Sequence, residues 1–131
     1  VPAAIASRLA TRQSDVPGWL ARSRIFVLTS ESEGLALSMM EAMLCGLPAV
    51  VPRVGDLENL VSDGRSGYLI DGASAPAFAS AIETLLDDPV RYSGFSAAAE
   101  AAALGITVEA TTAIWNRILL VGAPAGVRAG V

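Results

Sequence analysis

Residues 24–52 read RIFVLTSESEGLALSMMEAMLCGLPAVVP. The first part, Arg24-Ile25-Phe26-Val27-Leu28-Thr29, is β-branched, aromatic and apolar without alternation. That pattern predicts a strand buried on both faces, as in a parallel sheet. Ser30 to Gly34 is a polar loop. Leu35 to Cys45 reads as a helix, stopped by Gly46 and the nearby Pro48. Pro48-Ala49-Val50-Val51-Pro52 reads as a second buried strand.

The pattern continues on either side. Upstream, Pro2 to Gln13 reads as a weak helix or an irregular lead-in. Ser14-Asp15 then opens a short helix over Val16 to Arg22, with Pro17 tolerated in its first turn. Downstream, Arg53-Val54-Gly55-Asp56 is a loop and Leu57 to Val61 a short helix. Asp63-Gly64 and Ser66-Gly67 are turn signals ahead of a short strand, Tyr68 to Ile70. Pro76 to Leu86 carries apolar residues at Phe78, Ile82, Leu85 and Leu86, the spacing of an amphipathic helix. Asp87-Asp88-Pro89 breaks it. Two more helices are expected, over Arg91 to Leu104 and Val108 to Leu120, and then a loose tail from Gly122 to Val131. Short buried strands alternating with helices predict an α/β fold, a partial doubly wound parallel sheet. Three strands alone would leave long unpaired edges. The chain, which opens at Val1 on a helical pattern, is therefore expected to be a piece of something longer.

Composition narrows the chemistry. The 131 residues make one domain, and 53% of them are hydrophobic, enough for a core. Nine Arg stand against thirteen Asp and Glu, with no Lys and no His, for a net charge of −4. No stripe of Arg recurs at a helical spacing, which argues against nucleic acid, and the acidic balance argues against an anionic membrane surface. No uncharged apolar run reaches the roughly 18 residues of a membrane helix, and the N-terminus lacks the order of a signal peptide. With one cysteine and no His, an internal disulfide, a zinc site, a Ser-His-Asp triad and a Cys-His pair are all set aside. Cys45 itself is expected to be a small core residue.

In an open parallel sheet, ligands bind beyond the carboxyl ends of the strands. Two loops leave such ends here, Thr29 to Gly34 and Arg53 to Asp56, and parallel strands put both on one edge. The first delivers a helix N-terminus. Backbone N–H groups around Leu35 to Ser38 lack intrahelical acceptors, and Gly34 lets a ligand approach, an arrangement suited to phosphate. Ser38 adds a hydroxyl in the first turn. Glu41 stands mid-helix among Leu37, Met40, Met43 and Leu44, so it is expected to be buried and to need a polar partner. Ribose hydroxyls match a bidentate acceptor. Glu33 lies about two helical turns earlier, roughly 10–12 Å away if the segment is mostly helical, which is the scale of a nucleotide sugar. Simpler readings stand beside this one. Glu33 is also a favourable charge near a helix N-terminus, and Glu41 has arginines such as Arg53 to pair with.

From Thr29 to Val51 the sequence resembles the signature of glycosyltransferase family 4. That signature has a strand, a serine, a Glu-Gly segment, a second Glu after seven residues, Ala-Met, and Gly-x-Pro before a valine-rich strand. Val54 to Ile70 resembles the family's next stretch, and the match is continuous over Ser14 to Leu86. The resemblance implies the Rossmann-like C-terminal half of a two-domain GT-B enzyme, with a partial nucleotide-sugar-binding domain over residues 1–121 (signature 14–86, C-terminal helices 90–121). The tail is then 122–131, and the N-terminal acceptor domain is absent. It implies that Glu33 meets the donor sugar near the reacting carbon and that Gly34, Leu35 and Ala36 approach sugar and phosphate. Ser38 would face phosphate, Glu41 would bind the ribose, and Arg53, Gly55 and Asp56 would form a candidate site loop. Ala36 stands where many members have a second glycine, Gly55-Asp56 where many have Gly-Gly, and Asn59 where many have Glu. The family's basic donor-phosphate residues lie upstream of this segment.

The implied activity is retaining transfer of a sugar from a nucleotide diphosphate to an acceptor hydroxyl, with no metal and no cofactor, and with this segment alone inactive. Its partners are then the nucleotide-sugar donor, the hydroxyl acceptor and the missing domain, not nucleic acid. The cytoplasm is the expected compartment, with peripheral membrane association through the missing domain as a variant. A nucleotide-sugar epimerase of the same fold and a non-catalytic nucleotide- or partner-binding half-domain are the alternatives.

Overall fold

The computed structural model describes residues 15–34 and 36–122. In chain order these form α1 (Val16–Ala21), β1 (Phe26–Val27), α2 (Leu37–Leu44), β2 (Ala49–Pro52) and α3 (Leu57–Leu60). There follow β3 (Gly67–Ile70), α4 (Ala75–Asp87), α5 (Pro89–Leu104) and α6 (Val108–Gly122). The lead-in expected over Pro2 to Gln13 and all of the tail beyond Gly122 lie outside the described residues. Helix starts follow the local chemistry. Asp15 caps α1 by accepting from the Gly18 N–H at 2.9 Å. Ser74 does the same for α4, and Asp88 for α5 through the Val90 and Arg91 N–H groups. At the other end of α2, Gly46 takes φ +74°. Its N–H donates to the Met43 carbonyl and that of Leu47 to the Ala42 carbonyl, a Schellman stop.

The three strands form one parallel sheet in the order β1-β2-β3. Phe26 pairs with Ala49, and Ala49 in turn with Gly67. All four residues of β2 are buried. Alternate strand residues serve opposite faces. Ala49, Val51 and Leu69 pack with Met39 and Met43 of α2, Leu57 and Leu60 of α3, and Ala99 and Ala103 of α5. Val50 and Ile70 pack on the other side with Phe78, Ala81 and Leu85 of α4. Helix α5 joins the two layers, because its Phe95 belongs to the second cluster and meets Tyr68 at 5.2 Å between ring centroids. This is the expected doubly wound α/β arrangement.

Three local expectations change. The first strand is only two residues long, and Val27 is 43% exposed rather than buried on both faces. It has β2 as its single neighbour among the described residues, so one edge carries no ladder. Helix α2 does not bury the face that carries Glu41. It rests on the sheet through Met39, Ala42 and Met43, which turns Leu37, Glu41 and Leu44 outward. Glu41 is therefore exposed and needs no buried partner. Cys45 is exposed too, because it is the C-cap on that outward side rather than a core residue.

This orientation of α2 has a measurable consequence. Met39 is fully buried and Leu37 is 70% exposed. Met39→Ala should cost about 2–5 kcal/mol of stability in urea unfolding, through lost burial and the cavity left behind. Leu37→Ala should stay within about 0.5 kcal/mol. Equal costs at the two positions would mean that the helix faces the sheet differently.

Candidate functional site

Because the strands are parallel, three loops leave the same edge of the sheet: Thr29 to Ala36 after β1, Arg53 to Asp56 after β2, and Asp71 to Ser74 after β3. The first two were expected to converge, and they do. Gly55 sits at φ +56°, and its Cα lies so close to Glu33 that a Cβ there would overlap the Glu33 carbonyl oxygen. The loops therefore meet backbone to backbone, with Glu33 half-buried at the junction.

Helix α2 begins at this junction. Ala36 is its N-cap, with extended backbone (φ −74°, ψ 104°) and no side chain bonded to the exposed amides. The Ala36 carbonyl accepts from the Met39 and Met40 N–H groups at 3.0 and 3.1 Å. The N–H groups of Leu37 and Ser38 find no acceptor among the described residues. Two donors without an acceptor among the described residues thus stand together at the positive end of the helix dipole. Gly34 is exposed, with nothing within 4 Å of where a side chain would start. Leu35 lies outside the described residues. Ser38 and Glu41 are exposed on the same helix. Among the described residues, the side chains of Glu33, Ser38 and Glu41 make no hydrogen bond or ion pair. The helix starts at Leu37, so only the second half of the Glu33-to-Glu41 separation is helical.

Arg53 is not the partner of Glu41. Its Nε donates to Asp71 Oδ1 and its Nη2 to Asp63 Oδ2, both at 2.9 Å, with Glu58 at 3.7 Å. The hydrogen bond to Asp71 is the chief reason its pKa is held above the ordinary arginine value. Partial desolvation opposes this, and Asp63 adds to it. Asp63 also accepts the Leu69 N–H at 3.0 Å. Arg53 therefore ties the exits of β2 and β3 to the turn between them. Asp56 is exposed and accepts from the Asn59 side-chain amide at 3.3 Å.

The third loop escaped the sequence reading. It helps to form a groove of about 690 Å³ on the α4 face, lined by Thr29, Ser30, Pro52, Val54, Gly72 and Phe78 among others. The size suits a small ligand. Among the described residues, none of the candidate donor residues lines it; Gly34, Ser38 and Glu41 are exposed around the start of α2, Glu33 is half-buried and Ala36 is buried. The signal for the third loop was available: Asp71-Gly72 is a turn directly after a strand, with Gly72 at φ +69°. Among the described residues, no helix is long and apolar enough to cross a membrane.

Comparison with known proteins bears on what such an edge is for. A D-inositol 3-phosphate glycosyltransferase of Arthrobacter sp. (strain FB24) is 38% identical over 100 residues, covering 76% of this chain and 24% of that protein. The chain thus spans about a quarter of that relative's length. Among solved structures, Anabaena Alr3699/HepE in complex with UDP-glucose superposes with a TM-score of 0.71 at 27% identity, over 81% of this chain and 30% of that one. The C-terminal domain of LpcC, a glycosyl transferase group 1 family protein from Francisella tularensis, shares the fold. Its TM-score is 0.67 at 21% identity, over 75% of this chain and 51% of that one. Residues 5–88 match the family described as "Glycosyl transferases group 1". With the parallel sheet and the helix start at its carboxyl edge in place, that match over more than half of its residues shows that the chain belongs to the group 1 glycosyl transferases.

Proposed function

We propose that this chain is the donor-binding part of a retaining glycosyltransferase. It binds a nucleotide-diphosphate sugar and takes part in transferring the sugar to an acceptor hydroxyl, without a metal. One observation carries the reading: the uncapped start of α2, with Glu33, Ser38 and Glu41 around it and no described partner for any of the three side chains. Unsatisfied N–H groups at a helix start favour an anion, and a diphosphate is the anion a sugar donor brings. Glu33, at the loop junction, is assigned to the sugar near the anomeric carbon. Gly34, Leu35 and Ala36 are assigned to close backbone approach, Ser38 to phosphate, and Glu41 to the ribose hydroxyls. Gly55 and Asp56 border the site. Arg53, engaged by its carboxylates, is assigned to holding the edge together rather than to the donor.

The chemical work of such a site is positioning and stabilisation of charge on the departing diphosphate. The C–O bond between the anomeric carbon and the diphosphate breaks as the acceptor oxygen forms its bond on the same face. The leaving phosphate takes the acceptor's proton, so no side-chain nucleophile is required. The α2 amides offset part of the negative charge that develops on the leaving oxygen. The UDP-glucose held by the Anabaena protein makes uridine diphosphate the first nucleotide to test. The Arthrobacter relative's name makes D-inositol 3-phosphate the first acceptor to assay. Membership of a transferase family favours this reading over an epimerase.

Two measurements test the reading in the full-length protein. UDP, GDP and ADP are compared by thermal unfolding at one common concentration, set at about one hundred times the dissociation constant of the tightest binder. That binder then adds about 2.7 kcal/mol of stability, a shift of several degrees. One nucleotide should give that shift, and Glu41→Ala should largely abolish it at the same concentration. Absence of a shift with all three would favour the non-catalytic half-domain. Glu33→Ala should lower turnover by about 100-fold or more while leaving the unfolding temperature of the free protein unchanged, since its carboxylate has no described partner to lose. Turnover close to that of the unaltered protein would remove Glu33 from the reacting centre.

A further inference from the structure

We propose that Gly55 is a positioning residue for Glu33: the absence of a side chain there sets where the glutamate sits at the start of α2. The inference rests on the donor-site reading above and adds a second loop to it. A Cβ built on Gly55 would overlap the Glu33 carbonyl oxygen and lie 2.9 Å from its carbonyl carbon. The obstacle is backbone, so no change of rotamer relieves it. Positive φ alone does not explain the contact. Gly64 has φ +72°, and a Cβ there would meet nothing within 4 Å. Gly55 thus combines a left-handed backbone with a close backbone approach, and only the second involves Glu33.

The two sides of the contact are not equally anchored. On the Gly55 side, the Arg53 N–H donates to the Ile70 carbonyl at 2.9 Å and the Val54 N–H to the Pro52 carbonyl at 3.0 Å. The Arg53 guanidinium holds Asp63 and Asp71, and Leu57 is fully buried just beyond. On the Glu33 side, the Leu28 N–H donates to the Val50 carbonyl at 3.2 Å, and the next described backbone bonds begin at the Ala36 carbonyl. Glu33 lies between them, in a stretch with no backbone–backbone hydrogen bond among the described residues. A side chain at position 55 would therefore push the loop after β1 away from the sheet edge, and Glu33 would move with it. A misplacement of about 1 Å at a reacting centre lowers rate on the order of 100-fold.

The test compares Gly55→Ala, Gly64→Ala, Glu33→Ala and the double variant Glu33→Ala/Gly55→Ala in the full-length protein. The readouts are kcat for sugar transfer, the dissociation constant for UDP, and the unfolding temperature. Gly64→Ala introduces the same kind of backbone strain without the overlap and should leave kcat within about threefold. Gly55→Ala should lower kcat on the order of 100-fold, with a smaller fold-loss of UDP affinity, on the order of 10-fold or less, because Gly34 shares the displaced loop. If the loss acts through Glu33, the double variant is no slower than Glu33→Ala alone. The proposal is overturned if Gly55→Ala matches Gly64→Ala, or if the two losses multiply in the double variant. It is also overturned if Gly55→Ala does not fold where Gly64→Ala does, since the contact then belongs to the scaffold at large. Failure of the underlying reading looks different: Glu33→Ala itself would retain full turnover, and Gly55 would have no reacting group to position.

Discussion

The central strand β2 is paired along both edges and buried on both faces, and the geometry of the carboxyl edge depends on it. Its pairing with β3 admits no side chain at Gly67, where a Cβ would overlap the Ala49 carbonyl oxygen. Parallel pairing on either side of β2 sends the three following loops out at one level. A buried strand satisfies its backbone groups only through such ladders, so the register is strongly constrained. That constraint brings the loops after β1 and β2 to one level, where Glu33 meets Gly55.

The candidate site is consequently a surface of backbone rather than a pocket of side chains. Its polar groups are two helix amides, an exposed glycine, and three side chains without described partners. The charged residues one would first assign to an anion are occupied elsewhere. Arg53 is the nearest arginine in the sequence to this loop pair, and it is held by Asp63 and Asp71. Among the described residues, the attraction that the proposed diphosphate would meet therefore comes from amides and the helix dipole. The groove on the α4 face shares the loop after β1 with those groups, through Thr29, Ser30 and Glu31.

Much of this could be read directly from residue order. The strand at Pro48 to Pro52, the stop at Gly46 and Pro48 and the opening of α1 at Asp15 are local; Asp88, read as a breaker, is also the cap of α5, which starts at Pro89 rather than Arg91. They depend on φ preferences, missing donors and side-chain acceptors within a few residues. The pairing of the Thr29–Gly34 and Arg53–Asp56 loops on one edge also followed, because parallel strands leave no other arrangement. The reading failed where burial decided. Glu41 and Cys45 look like core residues by their neighbours in sequence, yet both face outward. Apolar residues on α2 are dense enough to hide which stripe meets the sheet. Val27 looked doubly buried for a similar reason, since an apolar run does not say how many neighbours a strand has.

By itself, then, the sequence determined the order of strands and helices, the opening of α1, the stop of α2, and the edge at which the loops after β1 and β2 gather, since each depends on short-range chemistry or on parallel topology. Only the tertiary structure decided which face of α2 is buried, that Arg53 is bound to the acids of two other turns, and that Gly55 touches the backbone of Glu33. The last two depend on contacts between residues 10 to 22 positions apart, and the burial of α2 on packing against the sheet and α5, far away in sequence; no preference of the residues themselves sets them.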